Sequence, residues 1–188
     1  MDGAIPTSGL IQATDGDFYG TTSAGGANMV CGVGNSGCGT IFKITPGGTL
    51  TTLYNFCSEA NCADGGYPVS GLTQDTNGSF YGTAQWGGAY NVDTPPSVYG
   101  TVFSLSVGLG PFVETQTTSG AVGAAVKILG TDLTGSTSVT FNGTAATFTV
   151  VSAFEITTTV PTGATSGLVE VATPGGTLTS NKSFTVSP

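Results

Sequence analysis

The sequence predicts an all-β protein in which two tandem repeats precede a second segment of short strands. Three observations lead to that class. First, the run from Pro6 to Phe42, with Phe18-Tyr19-Gly20-Thr21 at its centre, returns from Pro68 to Phe103, with Phe80-Tyr81-Gly82-Thr83 in the same place. Second, Gly and Thr dominate, Val, Phe and Tyr supply strand-forming character, and no stretch carries a helical apolar period. Third, Asp-Gly, Asn-Gly and Pro-Gly pairs punctuate the alternating runs, as tight turns between antiparallel strands require.

The first repeat divides into four strands. Gly9–Thr14 and Asp17–Thr22 flank Asp15-Gly16, read as a two-residue hairpin signal, and a Gly-rich loop opens at Gly25-Gly26. Gly39–Thr45 and Thr49–Phe56 then form a second hairpin around Pro46-Gly47-Gly48. In the second repeat Asn77-Gly78 replaces Asp15-Gly16, and Gly100–Leu105 matches the third strand. The pattern then degrades into Ser106-Val107-Gly108, as in the last copy of an array. The fold expected is thus two four-stranded, propeller-blade-like repeats over residues 1–112 (about 2–63 and 64–112). Two blades cannot close a ring, so either partner chains or upstream repeats supply the missing blades, or the two units stack as a sheet sandwich; the sequence does not choose between these.

Residues 116–188 read differently. Ala125–Leu129, Ser138–Phe141, Ala146–Val150, Glu155–Val160, Gly167–Thr173 and Lys182–Val186 are short alternating strands. Pro161 and Pro174-Gly175-Gly176 fall between them, so a small immunoglobulin-like β-sandwich is expected.

Composition narrows the function classes. Charged residues make up 7% of the chain, against ~25% in an average soluble protein, and the net charge is −8. Such a surface repels phosphate backbones and anionic lipid, and no apolar run reaches membrane-helix length; neither nucleic acid nor membrane insertion is expected. Cys31, Cys38, Cys57 and Cys62 lack C-x-x-C spacing, and no His exists to complete a zinc site. Disulfides fit better; of three connectivities the local one, Cys31–Cys38 with Cys57–Cys62, is favoured, implying an oxidising compartment. Asp2-Gly3 lines up with Asp64-Gly65, so the chain begins inside the repeating motif, and a longer parent with an export signal and more repeats is expected.

Both segments resemble known modules. The elements Pro-x-x-Gly-Leu, Asp/Asn-Gly-x-Phe-Tyr-Gly-Thr, Gly-Gly-Ala and Gly-Thr-x-Phe resemble the GloVer tandem repeat over residues 2 to about 105. Val126-Lys127-Ile128-Leu129-Gly130, Val139-Thr140-Phe141-Asn142-Gly143, Thr159-Val160-Pro161 and Thr173-Pro174-Gly175-Gly176 are similar to the IPT/TIG immunoglobulin-like domain. The resemblances imply a secreted or surface-displayed bacterial protein whose modules space or present other parts.

Few residues suggest chemistry. Asp15 and Asp17 have the close spacing of a calcium loop, but the second copy keeps only the turn, as Asn77-Gly78-Ser79. Trp86 replaces Ala24 and Tyr90 replaces Asn28; with Tyr99 they form a candidate aromatic platform for a polysaccharide or a protein partner. Without His, Ser/His/Asp and Cys/His machinery cannot be assembled, leaving only a carboxylate pair such as Asp75 with Asp93 for a glycosidase. The reading favoured is a non-catalytic extracellular scaffold, self-associating through repeat edges and able to extend into a filament. A carbohydrate-binding accessory module and a carboxylate-dependent glycosidase fragment are the alternatives, and no cofactor other than calcium enters.

Overall fold

A computed structural model describes residues 2–31, 36–88 and 99–188. It is all-β, with antiparallel sheets and no α-helix among the described residues. The chain divides into two compact units, Met1–Asp75 with Ser79–Val107, and Thr76–Gly78 with Gly108–Pro188.

In the first unit, strands β1 (Gly3–Ala4), β2 (Ile11–Gln12), β3 (Phe18–Thr22), β4 (Ala24–Gly25), β5 (Thr40–Ile44) and β6 (Leu50–Asn55) make up the first repeat. A 3-10 turn at Ala60–Cys62 precedes β7 (Gly66–Pro68), β8 (Thr73–Gln74), β9 (Phe80–Trp86) and β10 (Thr101–Leu105). The first repeat forms a meander β2-β3-β5-β6, with β1 pairing β4. The second forms β8-β9-β10, with β7 pairing the end of β9. The registers coincide: Gly20 pairs Phe42 in the first copy, and Gly82 pairs Phe103 in the second.

That register explains the glycine of the Phe-Tyr-Gly-Thr motif. A Cβ on Gly20 would lie 2.8 Å from the Phe42 ring and 2.6 Å from Leu10; on Gly82 it would lie 2.5 Å from the Phe103 ring and 3.2 Å from Leu72. The aromatic ring lies flat across the strand only because nothing projects there. The motif's Leu, Gly and distant Phe therefore make one contact, built twice.

The first hairpin differs in detail from the two-residue turn expected. Ala13 N–H donates to Asp17 O and Gly16 N–H to Ala13 O, closing a three-residue loop, Thr14-Asp15-Gly16. Its third residue carries φ 85°, the left-handed position that a loop of this length puts on glycine. The second copy closes alike, Asp75 N–H donating to Ser79 O, with Gly78 at φ 90°.

Both local disulfides form, Cys31–Cys38 and Cys57–Cys62. Their surroundings were not legible in the sequence: the sulfurs of Cys31, Cys57 and Cys62 lie within 4.8 Å of one another. Cys38 O accepts from Tyr67 N–H and Gly65 O accepts from Cys57 N–H, so the two bridges pin the passage from one repeat to the next.

The second unit contains β11 (Glu114–Thr115), β12 (Ser119–Ala121), β13 (Ala125–Leu129), β14 (Ser138–Phe141), β15 (Thr144–Ala145), β16 (Phe148–Ser152), β17 (Glu155–Thr159), β18 (Val169–Thr173), β19 (Gly176–Thr179) and β20 (Thr185–Ser187). Two four-stranded sheets, β11-β13-β17-β16 and β15-β14-β18-β19, share one core. Val126, Ile128 and Ile156 from the first sheet join Val139, Phe141, Val169 and Val171 from the second, each fully buried. The alternation of the sequence thus becomes inward and outward sides of each strand. A parallel pair, β12 with β20, lies beside them. Asn142 and Gly143, at φ 46° and 83°, form the two-residue turn between β14 and β15, positive at both positions as a primed turn needs. Strand β19 was not expected, because Pro174-Gly175-Gly176 was read only as a break; Gly176 instead pairs Thr173 and starts the strand.

One difference between the copies generates a prediction. Thr22 and Thr40 share a buried hydroxyl hydrogen bond of 2.8 Å, but Ala84 stands where Thr22 would, and the buried Thr101 hydroxyl has no partner among the described residues. Ala84→Thr is expected to restore the pair and raise stability by about 1 kcal/mol in chemical denaturation; an unchanged or lower midpoint would refute the equivalence.

Candidate functional site

The repeats pack face against face within the first unit. Tyr19 and Phe18 point to opposite sides of β3, and the Tyr19 ring stacks on Phe80 of the second repeat with centroids 4.4 Å apart. Phe56, just beyond β6, meets Phe103 edge-on at 4.9 Å. Polar contacts set the alignment: Thr21 Oγ1 donates to Ser70 O at 2.9 Å, while the Gln74 amide accepts from Thr14 N–H and donates to Thr14 Oγ1.

Because the copies are equivalent, this interface defines two complementary faces, each present a second time without a cover. Tyr19 and Ile41 on the covered side of the first repeat are 1% and 2% exposed, whereas their counterparts Tyr81 and Val102 are 41% and 78% exposed. On the opposite side, Leu72 is 7% exposed beneath the first repeat, whereas its counterpart Leu10 is 54% exposed. Phe80 is fully buried and Phe18 only partly.

A second feature is a groove of about 270 Å³ along the free edge of β10. In the first repeat β6 pairs β5; among the described residues no strand pairs the corresponding edge of β10. Ile41, Tyr54 and Phe56 form the opposite wall, and Glu59, Ala63 and Asp64 line one rim. Asp64 organises that rim. Its Oδ2 accepts from Tyr54 OH at 2.8 Å, from Ser58 N–H at 2.9 Å and from the Ser58 hydroxyl at 3.0 Å; its Oδ1 accepts from Glu59 N–H at 3.2 Å. Burial pushes the Asp64 carboxyl up, but these donors outweigh it and hold it below the usual carboxylate range. The Tyr54 phenol is raised, first by burial and then by Asp64 against an opposing hydrogen bond with Ser58. Neither residue stood out in the sequence. The available signal was that Tyr54 lies in β6 and Phe56 just beyond it, and β6 has no counterpart in the second copy among the described residues.

The candidate residues of the sequence are dispersed. Asp15 accepts from Tyr19 OH at 2.8 Å and from Asp17 N–H at 3.1 Å, while Asp17 pairs with Lys43 Nζ at 2.7 Å. Both carboxylates thus satisfy protein donors, and an ammonium occupies the approach to Asp17. Burial, then the Asp15 hydrogen bond, raise the Tyr19 phenol; the Asp17 hydrogen bond raises the Lys43 ammonium. Trp86 packs against Tyr67, ring centroids 4.7 Å apart and tilted by 53°. Tyr67 adopts φ 53° and its counterpart Ile5 adopts φ 59°, so the unusual backbone belongs to the repeat and the aromatic pair only to the second copy. Tyr99 is exposed. Tyr90 lies outside the described residues, as does Asp93, and Asp75 is an exposed residue at the second hairpin.

No protein-family model and no curated protein matches this chain.

Two outcomes follow from this geometry. Asp64 has a lower pKa folded than unfolded, so its contribution is full above its unfolded value near pH 4 and is lost as pH falls through the folded value. Asp64→Asn should cost about 1 kcal/mol after allowance for solvent screening and flatten that acid limb of the stability curve; an unaltered acid limb would show that Asp64 does not organise the rim. In Cys38→Ser, the released Cys31 thiol lies beside the Cys57–Cys62 bridge. Peptide mapping should find a fraction of molecules with Cys31 joined to Cys57 or Cys62; a wholly native second bridge would show that Cys31 cannot reach it.

Proposed function

We propose that the chain is a non-catalytic, extracellular structural scaffold that self-associates through its repeats. The observation that carries this reading is the pair of uncovered, mutually complementary faces. Leu10 and Phe18 present the surface that Leu72 and Phe80 present inside the molecule, and Tyr81 and Val102 present the surface of Tyr19 and Ile41. A second copy can repeat the internal interface from outside, setting its Phe18 against Tyr81 of the first. Such a contact is head-to-tail and leaves both end faces free again, so it propagates into a filament or closes into a ring according to the rotation per step.

The finer architecture belongs to this proposal: propeller-blade-like repeats and an immunoglobulin-like sandwich of the GloVer and IPT/TIG kinds. The registers shared by the two copies and the single core between two antiparallel sheets support it. Two disulfides in a small turn-rich unit fit an oxidising, extracellular setting. No helix among the described residues is long and apolar enough to cross a membrane.

Multi-angle light scattering tests the reading. The wild-type chain should form species larger than a monomer, more so as salt rises, because copies of net charge −8 repel at low ionic strength. Tyr81→Asp and Leu10→Asp, on opposite faces, should each reduce association while leaving the melt cooperative. A wild-type chain that stays monomeric at high concentration and high salt would refute it.

A further inference from the structure

We infer that the free edge of β10 is an acceptor site for an extended strand supplied by a partner chain, and that this strand has the alternation of β6. The inference deepens the scaffold reading and rests on it for the presence of a partner.

The first repeat supplies the template. There β5 carries β6 on its outer edge, with Phe42 opposite Thr52, Ile44 opposite Leu50 and a bulge between Ile41 and Phe42. In the second repeat β9 and β10 reproduce the pairing of β3 and β5 residue for residue. Among the described residues the outer position beside β10 is empty, and the sequence after Leu105 turns to Ser-Val-Gly instead of a strand. An unpaired edge offers a row of backbone donors and acceptors that another extended segment can satisfy.

The side chains around the edge say what kind of segment fits. The groove is walled by Ile41, Tyr54 and Phe56, the surface against which a fourth strand of the second repeat would turn its inner side. Kept in the register of β6, the incoming strand sets a Leu opposite Leu105 and a Thr opposite Phe103. It thereby covers the apolar wall and the edge at once. Among the described residues no basic residue lines the groove, and Glu59 and Asp64 stand at its rim, so an acidic segment is disfavoured. The occupant is a neutral, extended Leu/Thr/Tyr-type segment of the kind seen in Leu50-Thr51-Thr52-Leu53-Tyr54-Asn55. A loop or helix would leave the edge groups of β10 unpaired.

The test uses the whole chain with a fluorescent peptide of the sequence of residues 49–56, and a control peptide with Thr51→Pro, since Thr51 pairs Lys43 at a hydrogen-bonded position of the ladder. Anisotropy should show saturable binding of the first peptide, weakened on the order of ten-fold or more by the proline, which removes a ladder donor. Hydrogen exchange should show the amides of residues 101–105 slowed by the first peptide alone. The Tyr81→Asp protein should still bind it, separating edge acceptance from face-to-face association. Lack of saturable binding up to about millimolar peptide, or equal binding of the proline peptide, would overturn the inference while leaving the scaffold reading intact.

Discussion

Everything in the first unit depends on a sheet that is apolar on both sides and therefore has to be covered on both sides. Gly20 and Gly82 let Phe42 and Phe103 lie across one side of their strands, and Tyr19 and Tyr81 present a ring on the other. Stacking of Tyr19 on Phe80 buries one such pair of faces, with the apolar area and aromatic geometry that make these contacts favourable. The disulfides, the Gln74 clamp and the Thr21 hydrogen bond hold that stack in register. What the stack cannot do is cover its own ends. A repeat that docks by unlike faces always leaves one of each, and the exposures of Leu10, Tyr81 and Val102 follow from that arithmetic.

The second unit solves the same problem within itself. Its two sheets turn Val, Ile and Phe toward a shared interior and Thr, Lys and Glu outward, the Lys127–Glu155 pair lying on the outside. Such an exposed pair adds little stability; the enclosed core carries the unit. The contrast between a unit with a closed interior and a stack with open ends is why assembly is assigned to the repeats.

Much of the candidate site was half legible. The loss of pattern after Leu105 marked the last copy of an array while four strands were still expected in it; the groove beside β10 became visible only with Tyr54 and Phe56 forming its opposite wall. Trp86 is distinguished in the sequence by substitution between copies, standing where the first repeat has Ala24. That substitution gave no hint that Tyr67 would take up one side of the ring. Asp15 and Asp17 stood out by spacing alone; Tyr19 and Lys43, inconspicuous or distant in the sequence, supply a hydroxyl donor to the first and an ammonium to the second.

By itself the sequence determined the all-β class, the repeat and most of the longer strands, and it favoured the local disulfide pairing. These depend on short-range sterics: the two-residue alternation of a strand, positive φ at glycine, and the small loops between cysteines. It did not determine which face of each repeat is covered, that the two disulfides sit side by side, or that among the described residues β10 is paired on one edge only, beside an aromatic wall. Those were decided by tertiary structure, because burial belongs to pairs of surfaces brought together from far apart in the chain, and the same Phe-Tyr-Gly-Thr motif is buried in one place and exposed in the other.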